Sequence, residues 1–161
     1  MFKEGEIIKI LALDQSTKVT GYSTWQDKSL KEYGLLTANP KEKNPIERMR
    51  EMYTKIVELI NTYEPDFVVF EDVQFQNNYG TFQQLSQLQG ILMALLFEKD
   101  IGFMTVEPTK WKSFCGVKGR KREEQKANCI QMVKTKYKID VTEDEADAIG
   151  IGIWAVNNLL K

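Results

Sequence analysis

The sequence has 161 residues, of which 42% are hydrophobic, and a formal net charge of −1. This length favours one domain, spanning residues 1–161, built around one hydrophobic core. Histidine is absent, which excludes Ser-His-Asp and Cys-His catalysis, so an enzyme of this composition has to use carboxylates, lysines or hydroxyls.

Nothing in the sequence predicts a membrane protein. No uninterrupted apolar stretch is long enough to span a bilayer, and the charged segment 1–6 lacks the apolar core of a signal peptide. We therefore expect a cytoplasmic protein with no membrane partner. Cys115 and Cys129 are expected to be free thiols, because disulfides are rare in reducing compartments.

The small net charge hides an uneven distribution. Between residues 110 and 138 only Glu123 and Glu124 are acidic, so this segment carries +8 and the remainder −9. The segment predicts either a face that binds a polyanion or the solvated surface of a lysine-rich helix. Its ten basic residues are Lys110, Lys112, Lys118, Arg120, Lys121, Arg122, Lys126, Lys134, Lys136 and Lys138.

The chain opens with a strand pattern that ends on a carboxylate. Residues 7–14 are nearly all apolar and finish at Asp14. So short a run, rich in Ile and Leu, predicts a strand buried on both faces. Residues 19–25 and 30–37 predict two more strands, antiparallel to each other and joined by a tight turn.

The same pattern returns after a predicted amphipathic helix at 46–63. Residues 66–71 form another short apolar run, which ends at Glu71. If the strands ending at Asp14 and Glu71 are parallel neighbours, one strand spacing of roughly 5 Å separates the two carboxylates. Carboxylates that close repel, so we expect a proton or a metal ion between them.

A polar loop is predicted directly beside these carboxylates. Residues 72–80 contain four amide side chains and two aromatic ones, Phe75 and Tyr79. We expect Tyr79 in the core, whereas Phe75 either packs inside or stacks on a nucleic-acid base. A leucine stripe then predicts a helix at 81–98.

The remaining elements end in a second pair of acidic residues. We predict a strand at 102–106, a small helix from Pro108 to Phe114 and a basic helix at 120–137. Thr142-Glu143-Asp144-Glu145 matches the capping box S/T-x-x-E, so a last helix starts there. Asp144 and Asp147 are three apart and share one face of its first turns.

Four carboxylates are thus predicted near one place. Asp14 and Glu71 end strands, while Asp144 and Asp147 open a helix. Carboxylates without histidine suit hard ions such as Mg²⁺ or Mn²⁺. Two such ions, roughly 3.5–4 Å apart, catalyse in-line attack on phosphodiesters.

These motifs resemble those of a known family. Three stretches are similar in order and spacing to the motifs of RuvC-type Holliday-junction resolvases. They are Leu13-Asp14 with Val19-Thr20-Gly21-Tyr22, then Phe70-Glu71-Asp72-Val73, and then Asp144-Glu145-Ala146-Asp147-Ala148-Ile149. The resemblance implies an α/β fold of the ribonuclease-H type, with a mixed five-stranded sheet flanked by helices. It also implies a homodimer that nicks four-way DNA junctions symmetrically with Mg²⁺ or Mn²⁺.

The resemblance also assigns site residues. Asp14, Glu71, Asp144 and Asp147 would bind two ions, and Lys112 aligns with a catalytic lysine of the family. A second basic position falls at Lys121 or Arg122. The DNA-binding residues expected are Phe75, Lys110, Lys112, Lys118, Arg120, Lys121 and Arg122.

The chain departs from the family at two places. The family's loop aromatic is expected at Gln74, next to Phe75, and Gln15-Ser16 replaces a Pro-Gly pair. Such departures are typical of a divergent member, for example one encoded by a phage.

Three other functions compete with junction resolution. The same fold also serves nucleases for other branched or flapped DNA, or for RNA–DNA hybrids. Asp14-Gln15-Ser16-Thr17 is also similar to the phosphate loop of actin-like and sugar-kinase ATPases, but the chain is too short for their two domains. A DNA-binding module without catalysis would have no use for four carboxylates facing phosphates.

Overall fold

The computed structural model describes Phe2 and residues 4–160. Its elements run β1 (Lys9–Asp14), β2 (Val19–Gln26), β3 (Ser29–Thr37), α1 (Pro45–Tyr63), β4 (Phe67–Glu71), α2 (Tyr79–Glu98), β5 (Gly102–Val106), α3 (Pro108–Cys115), α4 (Arg122–Tyr137) and α5 (Glu143–Leu159). The predicted elements are all present, with ends that differ by one or two residues. No helix in this described part combines the length and the hydropathy needed to cross a membrane.

The strands form one mixed sheet in the order β3-β2-β1-β4-β5. β2 lies antiparallel to both β1 and β3, whereas β4 lies parallel to β1 and to β5. The central strands β1 and β4 contribute side chains to the cores on both faces of the sheet, which explains their nearly continuous apolar sequences. The predicted five-stranded mixed sheet is confirmed.

Helices cover both faces of the sheet. On one face, α5 packs against β1 and β2, and α3 and α4 pack on α5; buried Trp25, Trp111 and Trp154 belong to this side of the core. On the other face, α1 and α2 bury their apolar stripes over β1 and β4.

Glycines let α5 approach its neighbours closely. A Cβ added at Gly21 of β2 would lie 2.1 Å from the carbonyl oxygen of Asp144. In α5 itself, a Cβ at Gly150 would meet Trp111 at 2.3 Å, and one at Gly152 would meet Trp25 at 2.0 Å. The two helical glycines, each unfavourable by about 1 kcal/mol relative to Ala, thus make room for two buried indoles.

Caps set two helix starts that matter for the site. Thr142 and Glu145 form both bonds of the predicted capping box, so α5 begins where expected. The side chain of Asn78 accepts a hydrogen bond from the Thr81 amide at 3.0 Å, and α2 therefore begins at Tyr79 rather than at residue 81.

Candidate active site

The sheet and α5 bring the two predicted carboxylate pairs together. The last paired residues of the parallel strands β1 and β4 are Leu13 and Phe70, so Asp14 and Glu71 follow at the same edge of the sheet. The contact between Gly21 and Asp144 holds the start of α5 against the adjacent strand. Asp147 lies one turn further along the same helix.

The four carboxylates line one open cleft with a volume of about 760 Å³. Its walls come from the strand ends, from the loop before α2, and from α2, α3, α4 and α5. Besides these four predicted carboxylates, the polar or charged side chains of its lining are Gln15, Ser16, Lys18, Asp72, Gln74, Gln76, Asn77, Asn78, Thr81, Lys112, Arg122, Gln125, Lys126 and Glu143.

Burial and mutual repulsion raise the pKa values of this cluster. Burial is the main reason why the pKa of Asp14 lies well above its ordinary value, and the charges of Glu71, Asp147 and Asp144 raise it further. The pKa of Asp144 is also raised, mainly by burial and then by the charge of Glu143. This is the behaviour predicted for adjacent carboxylates at two strand ends.

The same causes act on the other two carboxylates. Burial, followed by the charge of Glu71, raises the pKa of Asp147 to about 6, while Lys112 opposes this shift. Burial also raises the pKa of Glu71, and hydrogen bonding to Trp111 and the charge of Lys112 counteract it. Lys112 is therefore the cation that faces most of the cluster.

Neutral donors from the protein contact two of these carboxylates. The Trp111 Nε1–H donates to Glu71 Oε2 at 2.7 Å. The buried thiol of Cys129 lies close to the carboxylate of Asp147, and burial followed by the charge of Asp147 raises the pKa of this thiol. Neither contact was signalled by the sequence, because Trp111 is 40 residues from its partner and looks like an ordinary core aromatic.

The end of β4 is fixed through its backbone. The Nε2 groups of Gln15 and Gln89 donate to the Glu71 carbonyl oxygen at 3.0 and 3.1 Å. The two amide side chains come from the loop after β1 and from α2, and they are mostly buried. Gln15, which departs from the family pattern, thus ties the two strand ends together.

As placed, no three acidic or cysteine side chains among Phe2 and residues 4–160 are grouped closely enough to hold a metal ion. The hydrogen bond from Trp111 engages one oxygen of Glu71 with a protein partner. The donor set itself consists of carboxylate oxygens without histidine, which is the chemistry that Mg²⁺ and Mn²⁺ prefer.

Comparison with known proteins settles the family. Residues 10–155 match the family described as crossover junction endodeoxyribonuclease RuvC. This chain belongs to the RuvC family. The four predicted site carboxylates, Asp14, Glu71, Asp144 and Asp147, all fall inside the matched segment.

Individual RuvC proteins are similar over almost their whole length. The crossover junction endodeoxyribonuclease RuvC of Finegoldia magna is 25% identical over 150 residues, covering 91% of each chain. That of Dictyoglomus thermophilum is 29% identical over 150 residues, covering 89% of this chain and 93% of the relative.

Solved structures share the fold. Thermus thermophilus RuvC in complex with Holliday junction substrate has a TM-score of 0.72 at 15% identity, with 91% of both chains covered. The yeast mitochondrial Holliday junction resolvase has a TM-score of 0.61 at 14% identity, covering 91% of this chain and 78% of that one. The ribonuclease-H-like fold implied by the sequence is confirmed.

Some of the basic residues predicted for this RuvC-family protein reach the cleft and others do not. Lys112 and Arg122 line it, together with Lys126, which was not among the predicted site residues. Lys126 follows Arg122 by four positions and so shares its helix face; it also pairs with Glu143 at 2.8 Å.

Four basic residues that were predicted to bind DNA do not line the cleft. Lys118, Arg120 and Lys121 are exposed in the segment between α3 and α4, so they extend the basic surface beyond the cleft wall. Lys110 instead places its Nζ 5.5 Å from the ring centroid of Trp154, away from the carboxylates. Their role in DNA binding stays a prediction.

The loop aromatics are both exposed. Phe75 is 60% exposed. Its ring packs in a T-shaped arrangement against Phe82, a residue of the cleft wall, with the two ring centroids 5.6 Å apart. Tyr79 is 68% exposed, so its predicted place in the core was wrong. Because Asn78 caps α2, Tyr79 occupies the first turn of that helix and faces solvent.

Proposed function

We propose that this RuvC-family protein is a metal-dependent endodeoxyribonuclease that resolves four-way (Holliday) DNA junctions by paired symmetric nicks. One observation carries the proposal: Asp14, Glu71, Asp144 and Asp147, from two strand ends and one helix, line a single cleft beside Lys112. We place this activity in one nuclease domain spanning residues 1–161.

The four carboxylates are the groups that would hold Mg²⁺, or Mn²⁺ as its substitute, with two ions per site. Metal dependence is general in the RuvC family, and the carboxylate-only donor set fits these ions. Bound there, the cations would supply Lewis-acid activation of water and stabilise the charge that develops on the phosphodiester. Burial and neighbouring charges raise the pKa values of Asp14 and Asp147, and a bound cation would favour the charged forms of both carboxylates.

Basic side chains of the chain position the DNA. We assign to Lys112 the contact with the reacting phosphate, because its charge acts on Asp14, Glu71 and Asp147 alike. Arg122 and Lys126 on α4 line the same wall and are suited to adjacent phosphates. Lys118, Arg120 and Lys121 would contact DNA phosphates outside the cleft. Lys110 would contact a phosphate further from the carboxylates.

The loop between β4 and α2 is suited to the bases near the branch point. Gln74, Gln76, Asn77 and Asn78 present amides to the cleft, and amides bond both base edges and sugar-phosphate groups. Phe75, exposed beside them, can stack on an unpaired base.

Paired nicks require two active sites, so we propose a homodimer whose twofold axis matches that of the junction. The structurally similar Thermus thermophilus RuvC was solved in complex with Holliday junction substrate, which supports the same substrate here. We expect the enzyme to work in the cytoplasm, because Cys115 and Cys129 are free and disulfides are rare in that compartment.

The experiment compares DNA shapes under controlled metal supply. A synthetic immobile four-way junction, a matched linear duplex, a flap and a fork, each labelled on one strand at a time, are incubated with Mg²⁺, Mn²⁺ or chelator. We expect symmetric paired nicks on the junction alone, lost with chelator. Equal cutting of flaps and forks would instead favour a general nuclease for branched DNA, and junction binding without cutting a non-catalytic module.

A further inference from the structure

Glu71 is held by an unusual partner for an acidic site residue. Its Oε2 accepts from the Trp111 indole at 2.7 Å, and this is its single side-chain hydrogen bond among the described residues. Glu71 lines the cleft, and its Oε1 accepts no side-chain hydrogen bond from the described residues. The backbone carbonyl of Glu71 is fixed separately by Gln15 and Gln89.

The indole is itself firmly placed. Trp111 is 0% exposed, and its ring lies against α5 where residue 150 is glycine; a Cβ there would come within 2.3 Å of the ring. Lys112 Nζ lies 5.6 Å from the ring centroid. One side chain thus contacts the end of β4, the helix that carries Asp144 and Asp147, and the lysine of the cleft.

A neutral donor has a specific consequence for a carboxylate that binds a cation. An arginine or lysine in the same place would orient Glu71 but neutralise its charge and repel an incoming cation. The indole N–H carries no charge and has no accessible titration, so it fixes the rotamer while the full negative charge remains. Hydrogen bonds of this kind typically change metal affinity by about 10- to 100-fold.

We infer that Trp111 is a positioning residue that holds Glu71 with one oxygen free for a divalent cation, and that Gly150 is the residue that gives the indole its place. The inference rests on the proposed function, since it assigns Glu71 to cation binding, and it deepens that function by naming what fixes the ligand.

The chain offers a matched control. Trp25 is also 0% exposed, its Nε1 donates at 2.8 Å to Ser23 Oγ, and it also faces a glycine of α5, Gly152. Trp25→Phe and Trp111→Phe therefore remove the same group from similar surroundings. The difference is the acceptor, which is a hydroxyl in one case and the Glu71 carboxylate in the other.

The test measures Mn²⁺ binding by calorimetry on folded wild type, Trp111→Phe and Trp25→Phe, and then cleavage of the junction as a function of Mn²⁺ concentration. We expect Trp111→Phe to weaken binding by about 10- to 100-fold and to move half-maximal cleavage to higher Mn²⁺ by a similar factor. Trp25→Phe should leave both unchanged, although the two variants lose comparable thermal stability.

A double-mutant cycle separates positioning from general damage. In a Glu71→Ala background there is no carboxylate to orient, so Trp111→Phe should cause no further loss of Mn²⁺ affinity. Wild-type affinity in Trp111→Phe, an equal loss in Trp25→Phe, or an undiminished loss in the Glu71→Ala background would overturn the inference. If the expected order of Mn²⁺ affinities holds while wild type cuts no junction, the substrate assignment fails and the role of Trp111 stands.

Discussion

Removing one charge from the carboxylate cluster should stabilise the protein at neutral pH in the absence of divalent ions. The pKa of Asp147 is raised from 3.8 to about 6, so the folded protein keeps this proton when the unfolded chain has lost it. Its contribution to stability is therefore fully present below about pH 4 and is lost as the pH rises to about 6.

The shift in the pKa of Asp147 determines how much the free energy of unfolding should change. About two pKa units correspond to about 3 kcal/mol, at about 1.4 kcal/mol per unit. Asp147→Asn is neutral at every pH and close in shape, so with chelator present at pH 8 it should be more stable than wild type by up to about 3 kcal/mol. Below pH 4 the difference should vanish, since both side chains are then uncharged.

Urea denaturation followed by tryptophan fluorescence, with chelator at pH 4, 6 and 8, measures the free energy of unfolding. Asp100→Asn is the matched control: Asp100 is exposed and has a positive φ of 56°, which Asn tolerates, and exposed changes usually stay within about 0.5 kcal/mol. An Asp147→Asn variant that is no more stable than wild type at pH 8 would refute the view that burial of this charge, together with repulsion from Glu71, destabilises the fold.

Three other outcomes follow from the same structure. Neutralising Lys118, Arg120 and Lys121 together should weaken junction binding and reduce the slope of log K against log salt by up to about 3. An unchanged slope would mean that these three residues face away from the DNA. Phe75→Ala should leave thermal stability nearly unchanged, because the ring is 60% exposed, but should slow junction cleavage; equal rates would remove the stacking role. Gly152→Ala should lower the free energy of unfolding by about 1–2 kcal/mol, because overpacking exceeds the gain in helix propensity, and calorimetric melting would expose a neutral or stabilising effect.

The carboxylate site could be predicted because its positions depend on local rules. A short apolar run ending at Asp14 or Glu71 fixes where a strand stops, and parallel pairing then brings the two ends together. The capping box at Thr142 fixes the start of α5, so the shared face of Asp144 and Asp147 follows from helix geometry.

The basic and supporting residues could not be placed in the same way. Lys110 and Lys112 are two apart on a helix and so point in different directions, which a count of charges does not show. Lys126 reaches the cleft because α4 packs on α5, and Trp111 reaches Glu71 because Gly150 makes room for it. Both placements arise from tertiary packing between distant segments.

Four carboxylates act as one metal-dependent nuclease site in the function proposed here. The most direct test of this site is Mn²⁺-supported cleavage of a four-way junction by four single variants. Asp14→Asn, Glu71→Gln, Asp144→Asn and Asp147→Asn should each abolish cleavage, and Asp14→Asn should bind the junction at least as tightly as wild type because a charge that repels phosphate is gone. Asp100→Asn should cleave normally. Full cleavage by any one of the four would contradict the site as assigned.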